Sequence, residues 1–273
     1  MSSPEQDDPT ERVVRVQTEV PTGPEQTWRA IATAAGISGW FTAAQVEERE
    51  GGRIVTDHGP FGTSEGTVTT WDPPHRFVYE ERDWNPDDPA APVWATEIVV
   101  EAQEGGHCVV RLASGFFHGG EGWEDQLGGT DEGWARGMVN LRLYLTHFAD
   151  RPTANVFLIG SVGADRSAAA ARLLRAAGLE GVAVGDPVAA AAGRPPLEGV
   201  VEHVGPTGVV VRGPDGLHEL DAWQHATTSV SVRAYLHGDD GVARAREEDA
   251  RWSAWLREVF PDFSPPGSPV PPA

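Results

Sequence analysis

The 273-residue sequence predicts an α+β protein: a curved antiparallel sheet closed by a long helix, followed by a shorter, related α+β unit. Three observations predict it. A strand–turn–helix opening occurs twice, 142 residues apart. Each opening is followed by short alternating segments separated by Gly and Pro turns. Each series ends in a long segment whose apolar residues recur at helical spacing.

The first strand spans Val13 to Val20, with Val14, Val16 and Val20 on one parity. Pro21-Thr22-Gly23-Pro24 is a turn, and Pro24 suits the first turn of a helix that carries Trp28, Ile31 and Ala32 on one face. Gly36 is expected to cap that helix. Six strands should follow: Gln45–Glu48, Arg53–Asp57, Glu65–Trp71, Phe77–Asp83, Trp94–Glu101 and His107–Ser114. A closing helix over Asp131–Phe148 has the apolar stripe Trp134, Met138, Leu141, Leu145 and Phe148. The sheet has one face to bury and the helix one stripe, so the two pack together, and the space between them suits a cavity.

The second series starts near Asn155. A shift of 142 places Val14 on Val156, Val20 on Val162, Ile31 on Leu173 and Gly36 on Gly178. Strands are expected at Leu197–Val204, Gly208–Arg212, Leu217–Asp221 and Thr228–Leu236. A final helix over Val242–Phe260 carries Trp252, Trp255, Leu256 and Val259. The predicted organisation is a disordered tail at 1–11, a first domain at 12–150, a shortened copy of it at 154–261, and a disordered Pro-rich tail at 262–273.

Composition excludes several function classes. The chain has 41 acidic and 21 basic residues, a formal charge of −20, which repels nucleic-acid backbones and anionic membranes. All the basic residues are Arg, so Schiff-base chemistry and the lysine-dependent phosphate loop are excluded. One cysteine, Cys108, permits neither an internal disulfide nor a cysteine-based zinc site. No apolar run approaches the roughly 20 residues of a membrane span, and the acidic start MSSPEQDDPTE is unlike a signal peptide. The expected location is the cytoplasm.

The first unit carries a resemblance. Val20-Pro21-Thr22-Gly23-Pro24 through Ile31 resembles the opening strand and helix of the START-like (SRPBCC) superfamily. Gly36-Ile37-Ser38-Gly39-Trp40-Phe41, Glu50-Gly51-Gly52-Arg53, Gly66-Thr67-Val68 with Trp71, and Pro73-Pro74-His75-Arg76-Phe77 continue it in order. They resemble the branch named for the activator of heat-shock protein 90 ATPase homologues, over about residues 12–149. The resemblance implies a helix-grip fold with a cavity between the sheet and the C-terminal helix. Superfamily members bind lipids, hormones or polyketides, some catalyse cyclisation or ring oxidation, and this branch contains co-chaperone domains. It supplies no universal catalytic motif. Over 155–260 the likeness is weak, because the Trp-Phe step and several strands are missing.

Candidate cavity residues are Trp71, Tyr79, Trp94, Phe116, Trp134, Met138 and Leu141, an aromatic and apolar set suited to an apolar ligand. Plain core packing is the competing assignment. If Tyr79 faces inward, Glu81 shares its parity and gives the pocket a wet end. His58, His75, His107 and His118 match no metal-ligand spacing, and no metal or cofactor is expected. The glycine-rich loop from Phe116 to Gly129 is either a lid, with Trp123 exposed, or a plain connection. Ser114 and Ser161 lack the nucleophile-elbow pattern, and no catalytic residue is assigned. The expected function is non-catalytic binding of a small hydrophobic ligand. The alternatives are a co-chaperone-like module contacting a chaperone or other protein partner, and a cyclase- or aromatase-like enzyme.

Overall fold

A computed structural model describes residues 10–266 apart from 83, 86, 87, 89, 196, 225 and 226, and it leaves the side chains of 125 and 126 undescribed. Most of both predicted tails, and Asp83 of the predicted fifth strand, lie outside the described residues. The chain forms two compact units. One gathers the residues up to Ile37, Ala44–Asp57 and Thr63–Ala149. The other gathers Ser38–Ala43, His58–Gly62 and the residues from Asp150 onward.

The first unit has a seven-stranded antiparallel sheet in the order β1-β7-β6-β5-β4-β3-β2. Its strands are β1 (Arg12–Val20), β2 (Ala44–Val46), β3 (Arg53–Asp57), β4 (Thr63–Asp72), β5 (Arg76–Glu81), β6 (Trp94–Gln103) and β7 (His107–Phe116). Period-2 burial is clearest in β7, where Cys108, Val110, Leu112, Ser114 and Phe116 are all buried. Helix α1 (Pro24–Ala32) lies against β6 and β7, starting at Pro24 and burying Trp28 and Ile31. The closing helix, α3 (Thr130–His147), packs along β1 and buries Trp134, Met138, Leu141 and Leu145, as its stripe predicts.

One local prediction is corrected. Gly36 does not cap α1; it sits inside a second short helix, α2 (Ala34–Ser38). Thr33 separates the two helices, its hydroxyl donating to Arg29 C=O at 2.7 Å and accepting from Gly36 N–H at 3.1 Å. Glycine is required at 36 for a different reason: a Cβ there would stand 2.0 Å from Arg29 O and 2.6 Å from Ala30 Cα.

The second unit has a six-stranded sheet in the order β8-β13-β12-β11-β10-β9. These are β8 (Thr153–Ser161), β9 (Pro187–Val188), β10 (Gly199–Val204), β11 (Gly208–Gly213), β12 (Gly216–Gln224) and β13 (Thr228–His237). Helix α4 (Arg166–Ala177) is capped at one end by Asp165, which accepts from Ala168 N–H at 3.0 Å. At the other end Gly178 takes the left-handed φ of 76° expected of a C-cap. Helix α5 (Gly241–Val259) lies over β8 and β13, with Trp252, Trp255 and Leu256 in a core shared with Leu173, Val211 and Val232.

The segment from Asp262 is ordered further than composition suggests. Phe263 fills the space beside Gly160, where a Cβ would come within 2.4 Å of its ring. Ser264 pairs with Ser161, and Gly163 N–H donates to Asp262 at 2.7 Å. Within this unit Tyr235 OH donates to Phe41 C=O, and Asn155 Nδ2 to Ser38 C=O, each at 3.0 Å.

Two consequences are measurable. Gly36→Ala should cost about 1–3 kcal/mol in urea denaturation, because backbone atoms must yield to the new methyl. His237, fully buried beside Thr153, is pushed down to about 3 by burial and then by the Arg151 and Arg244 charges. A depressed histidine favours the fold above its ordinary 6.5 and withdraws that stability as pH falls. Thermal melts should therefore show a loss between pH 6.5 and 4 that is smaller in His237→Gln.

Candidate functional site

The inner face of the first sheet divides into an aromatic end and a polar row. At the aromatic end Trp28 from α1 meets Trp71 from β4 edge-on at 5.1 Å and Phe77 from β5 at 6.4 Å. Phe77 continues to Tyr79 at 5.7 Å. Phe77 and Trp28 are buried and Trp71 is half-buried.

The polar row follows from strand register. Tyr79 stands opposite Thr96, and Thr96 opposite Ser114, so three hydroxyls line up across β5, β6 and β7. Thr96 and Ser114 share a bond of 2.8 Å, Trp94 Nε1 donates to Ser114 Oγ at 3.0 Å, and Tyr79 faces Thr96 across β5 and β6. All three residues are buried, and the Thr96–Ser114 bond avoids the cost of orphaned hydroxyls at those two positions. Burial, then the charge of Glu81, raises the Tyr79 phenol well above its ordinary range and keeps it protonated.

Glu81 lies two residues beyond Tyr79 on the same face and opposite Trp94. It is half-buried and accepts a hydrogen bond from Ser64 Oγ on β4. Burial raises its carboxyl above the ordinary range, partly offset by that hydrogen bond. Beside it is a second aromatic group. Trp94 contacts Phe116 at 5.1 Å and Trp84 at 6.0 Å, and Trp84 contacts Trp123 at 5.6 Å.

The seven sequence-predicted residues are thus distributed rather than pooled. Trp71 belongs to the aromatic end, Tyr79 joins that end to the polar row, and Trp94 with Phe116 forms the second ring group. Trp134, Met138 and Leu141 are buried on α3, whose neighbours are β1 and α1. Trp123 is half-buried against Trp84 and Phe116, not exposed. The loop that carries it is tied to the start of β1, with Arg12 Nε 2.8 Å from Glu124 and Gly119 N–H donating to Thr10 Oγ1 at 3.0 Å.

Sequence reasoning missed the Thr96–Ser114 pair, which exists only through register, and Ser64, which a β4 bulge between Val68 and Thr70 helps to position. It also missed a buried pair in the second unit. His218 Nε2 lies 2.6 Å from Glu248, and Trp252 Nε1 donates to the same oxygen at 3.3 Å. Burial works to raise Glu248, but the hydrogen bond and charge of His218, together with Trp252 and Arg244, hold the carboxyl below its ordinary range. Among the described residues no cluster of three His, Cys, Asp or Glu side chains could hold a metal ion. Among them, too, no helix is long and apolar enough to cross a membrane.

Residues 21–146 match the family model described as "Activator of Hsp90 ATPase homolog 1-like protein", bearing out the resemblance read from the first unit. Protein MLL2253 from Mesorhizobium loti is a structural neighbour at 20% identity and TM-score 0.42, covering 50% of this chain and 97% of its own. The Aha1 dimer from Colwellia psychrerythraea matches at 17% identity and TM-score 0.40, over 50% of this chain and 96% of that one. The di-domain ARO/CYC protein BexL of the BE-7585A biosynthetic pathway matches at 14% identity and TM-score 0.42, over 95% of this chain and 100% of that one. No curated protein matches the sequence.

The half-buried Glu81 carboxyl has a testable consequence. A raised acid favours the fold below its ordinary range and withdraws that stability as pH rises through the raised one. Glu81→Gln should therefore gain thermal stability relative to the parent between pH 4 and pH 8; a constant difference would contradict the assignment.

Proposed function

We propose, from a first unit that belongs to the Activator of Hsp90 ATPase homolog 1-like family over residues 21–146, that this unit binds a small, largely apolar molecule between its sheet and α3. The observation that supports this best is the composition of the inner face. Aromatic surfaces flank a row of hydroxyls in which Thr96 and Ser114 satisfy each other, and Trp71, Trp94 and Glu81 stay partly exposed among buried neighbours. Apolar walls with a few placed polar groups are the usual make-up of a small-molecule site. Tyr79 stays protonated, and among the described residues no nucleophile–base pair is assembled around it, which favours binding over turnover. Inward Tyr79 and Glu81 still meet the minimum requirement of the cyclase-like alternative, a polar group on the wall.

A second reading is supported by the family description itself: contact with a chaperone ATPase or another protein through the acidic surface. The two readings separate experimentally. Native mass spectrometry of freshly purified chain, followed by titration with a hydrophobic fluorescent probe, should show one saturable site per chain. Replacing Phe116 with Ala, in the ring group beside Glu81, should weaken it by about tenfold or more. A folded chain that binds no probe, yet recovers a chaperone at low salt, would overturn the first reading in favour of the second.

A further inference from the structure

Among the described residues, the carboxyl at the polar end of the inner face has no ion-pair partner. Other acids of this sheet have arginines: Arg53 pairs with Glu65, Arg76 with Glu97, Arg82 with Glu80 and Arg111 with Glu101. Among the described residues no arginine pairs with Glu81, although it is more buried than Glu65 or Glu101. Ser64 donates its O–H to Glu81, treating the carboxyl as an acceptor.

Glu81 also has aromatic company. Directly opposite residues on one face of an antiparallel pair have Cβ atoms about 4.5–5.5 Å apart, and Glu81 stands opposite Trp94. Trp94, Trp84, Phe116 and Trp123 form one continuous ring group. An acceptor carboxylate opposite a tryptophan complements an ammonium group: the charge pairs with it, and an aromatic ring attracts a cation through its quadrupole. The overall charge of −20 draws cations toward the surface from which they would enter.

We propose that the ligand of the first unit is a lipophilic amine, its ammonium held between Glu81 and the Trp94 ring group and its apolar body laid along the half-buried rings of that group, Trp84 and Trp123. This rests on the ligand-binding reading above and adds the chemical class. Burial makes an isolated Glu81 charge costly, and an incoming ammonium offsets that cost.

The test uses the full chain and two probes of equal shape, 1-naphthylmethylamine and 1-naphthalenemethanol, titrated by calorimetry at pH 7 and low salt. The amine should bind about tenfold tighter or more. That preference should shrink to within about threefold in Glu81→Gln, and also in the parent at pH 4, where the carboxyl is protonated. Among the described residues, the groups placed against Glu81 are Tyr79 on its own strand, Ser64 on β4 and Trp94 on β6, and none of them titrates between pH 4 and 7. Should Glu81→Gln lose its native circular dichroism, Glu81→Asp and the parent pH series carry the test, with an intermediate preference expected for Asp. Equal binding of the two probes by the parent overturns the amine and leaves the apolar site standing. A preference that survives in folded Glu81→Gln overturns the role of Glu81. Binding of neither probe overturns both readings.

Discussion

The first unit depends on how an antiparallel sheet buries one face. Once β1 and β7 pair with Val14 opposite Ser114 and Val16 opposite Leu112, one side of seven strands must be removed from water. The apolar stripe of α3 along β1, and Trp28 of α1 beside Phe77, cover much of it. Any hydroxyl on that face must then find a partner within the face, and the bonds that join Thr96, Ser114 and Trp94 beside Tyr79 are the solution. Glu81 closes the row at the end where the face is still wet. The same constraint therefore explains both the core and the chemistry of the candidate site.

Much of this architecture was legible in the residues. Valine parity marked β1, the four-and-three spacing of Trp134, Met138, Leu141 and Leu145 marked α3, and the 142-residue offset located β8, α4 and the cap at Gly178. These signals survive because they are local and periodic. The Thr33 break was not legible, because a β-branched residue in a helical pattern gives no warning that its hydroxyl will take up the preceding carbonyl. Nor was the two-residue strand β9, which is too short to show a period.

The candidate site was read in its residue types but not in its grouping. Tyr79 and Glu81 share a parity, and that alone placed Glu81 at a wet end. Trp84 and Trp123 lie outside the periodic strands, so nothing in their spacing announced that they join Trp94 and Phe116. Thr96 and Ser114 are eighteen positions apart, and their bond appears only when β6 and β7 are laid in register. The same holds for His218 and Glu248, which meet only because α5 folds back over the second sheet. Chemistry that depends on the third dimension is hidden from a one-dimensional pattern in just this way.

The central claim is that the Glu81–Trp94 end of the first sheet is where a ligand sits, while the interior around Trp252 is structural. Two indole N–H groups report on these places separately: Trp94, bonded to Ser114, and Trp252, bonded to Glu248. Nitrogen-15 spectra of the indoles, recorded as 1-naphthylmethylamine is added to saturation, test the claim most directly. The account predicts a saturable shift of the Trp94 resonance with Trp252 unmoved. A shift confined to Trp252, or none at either position, would contradict it.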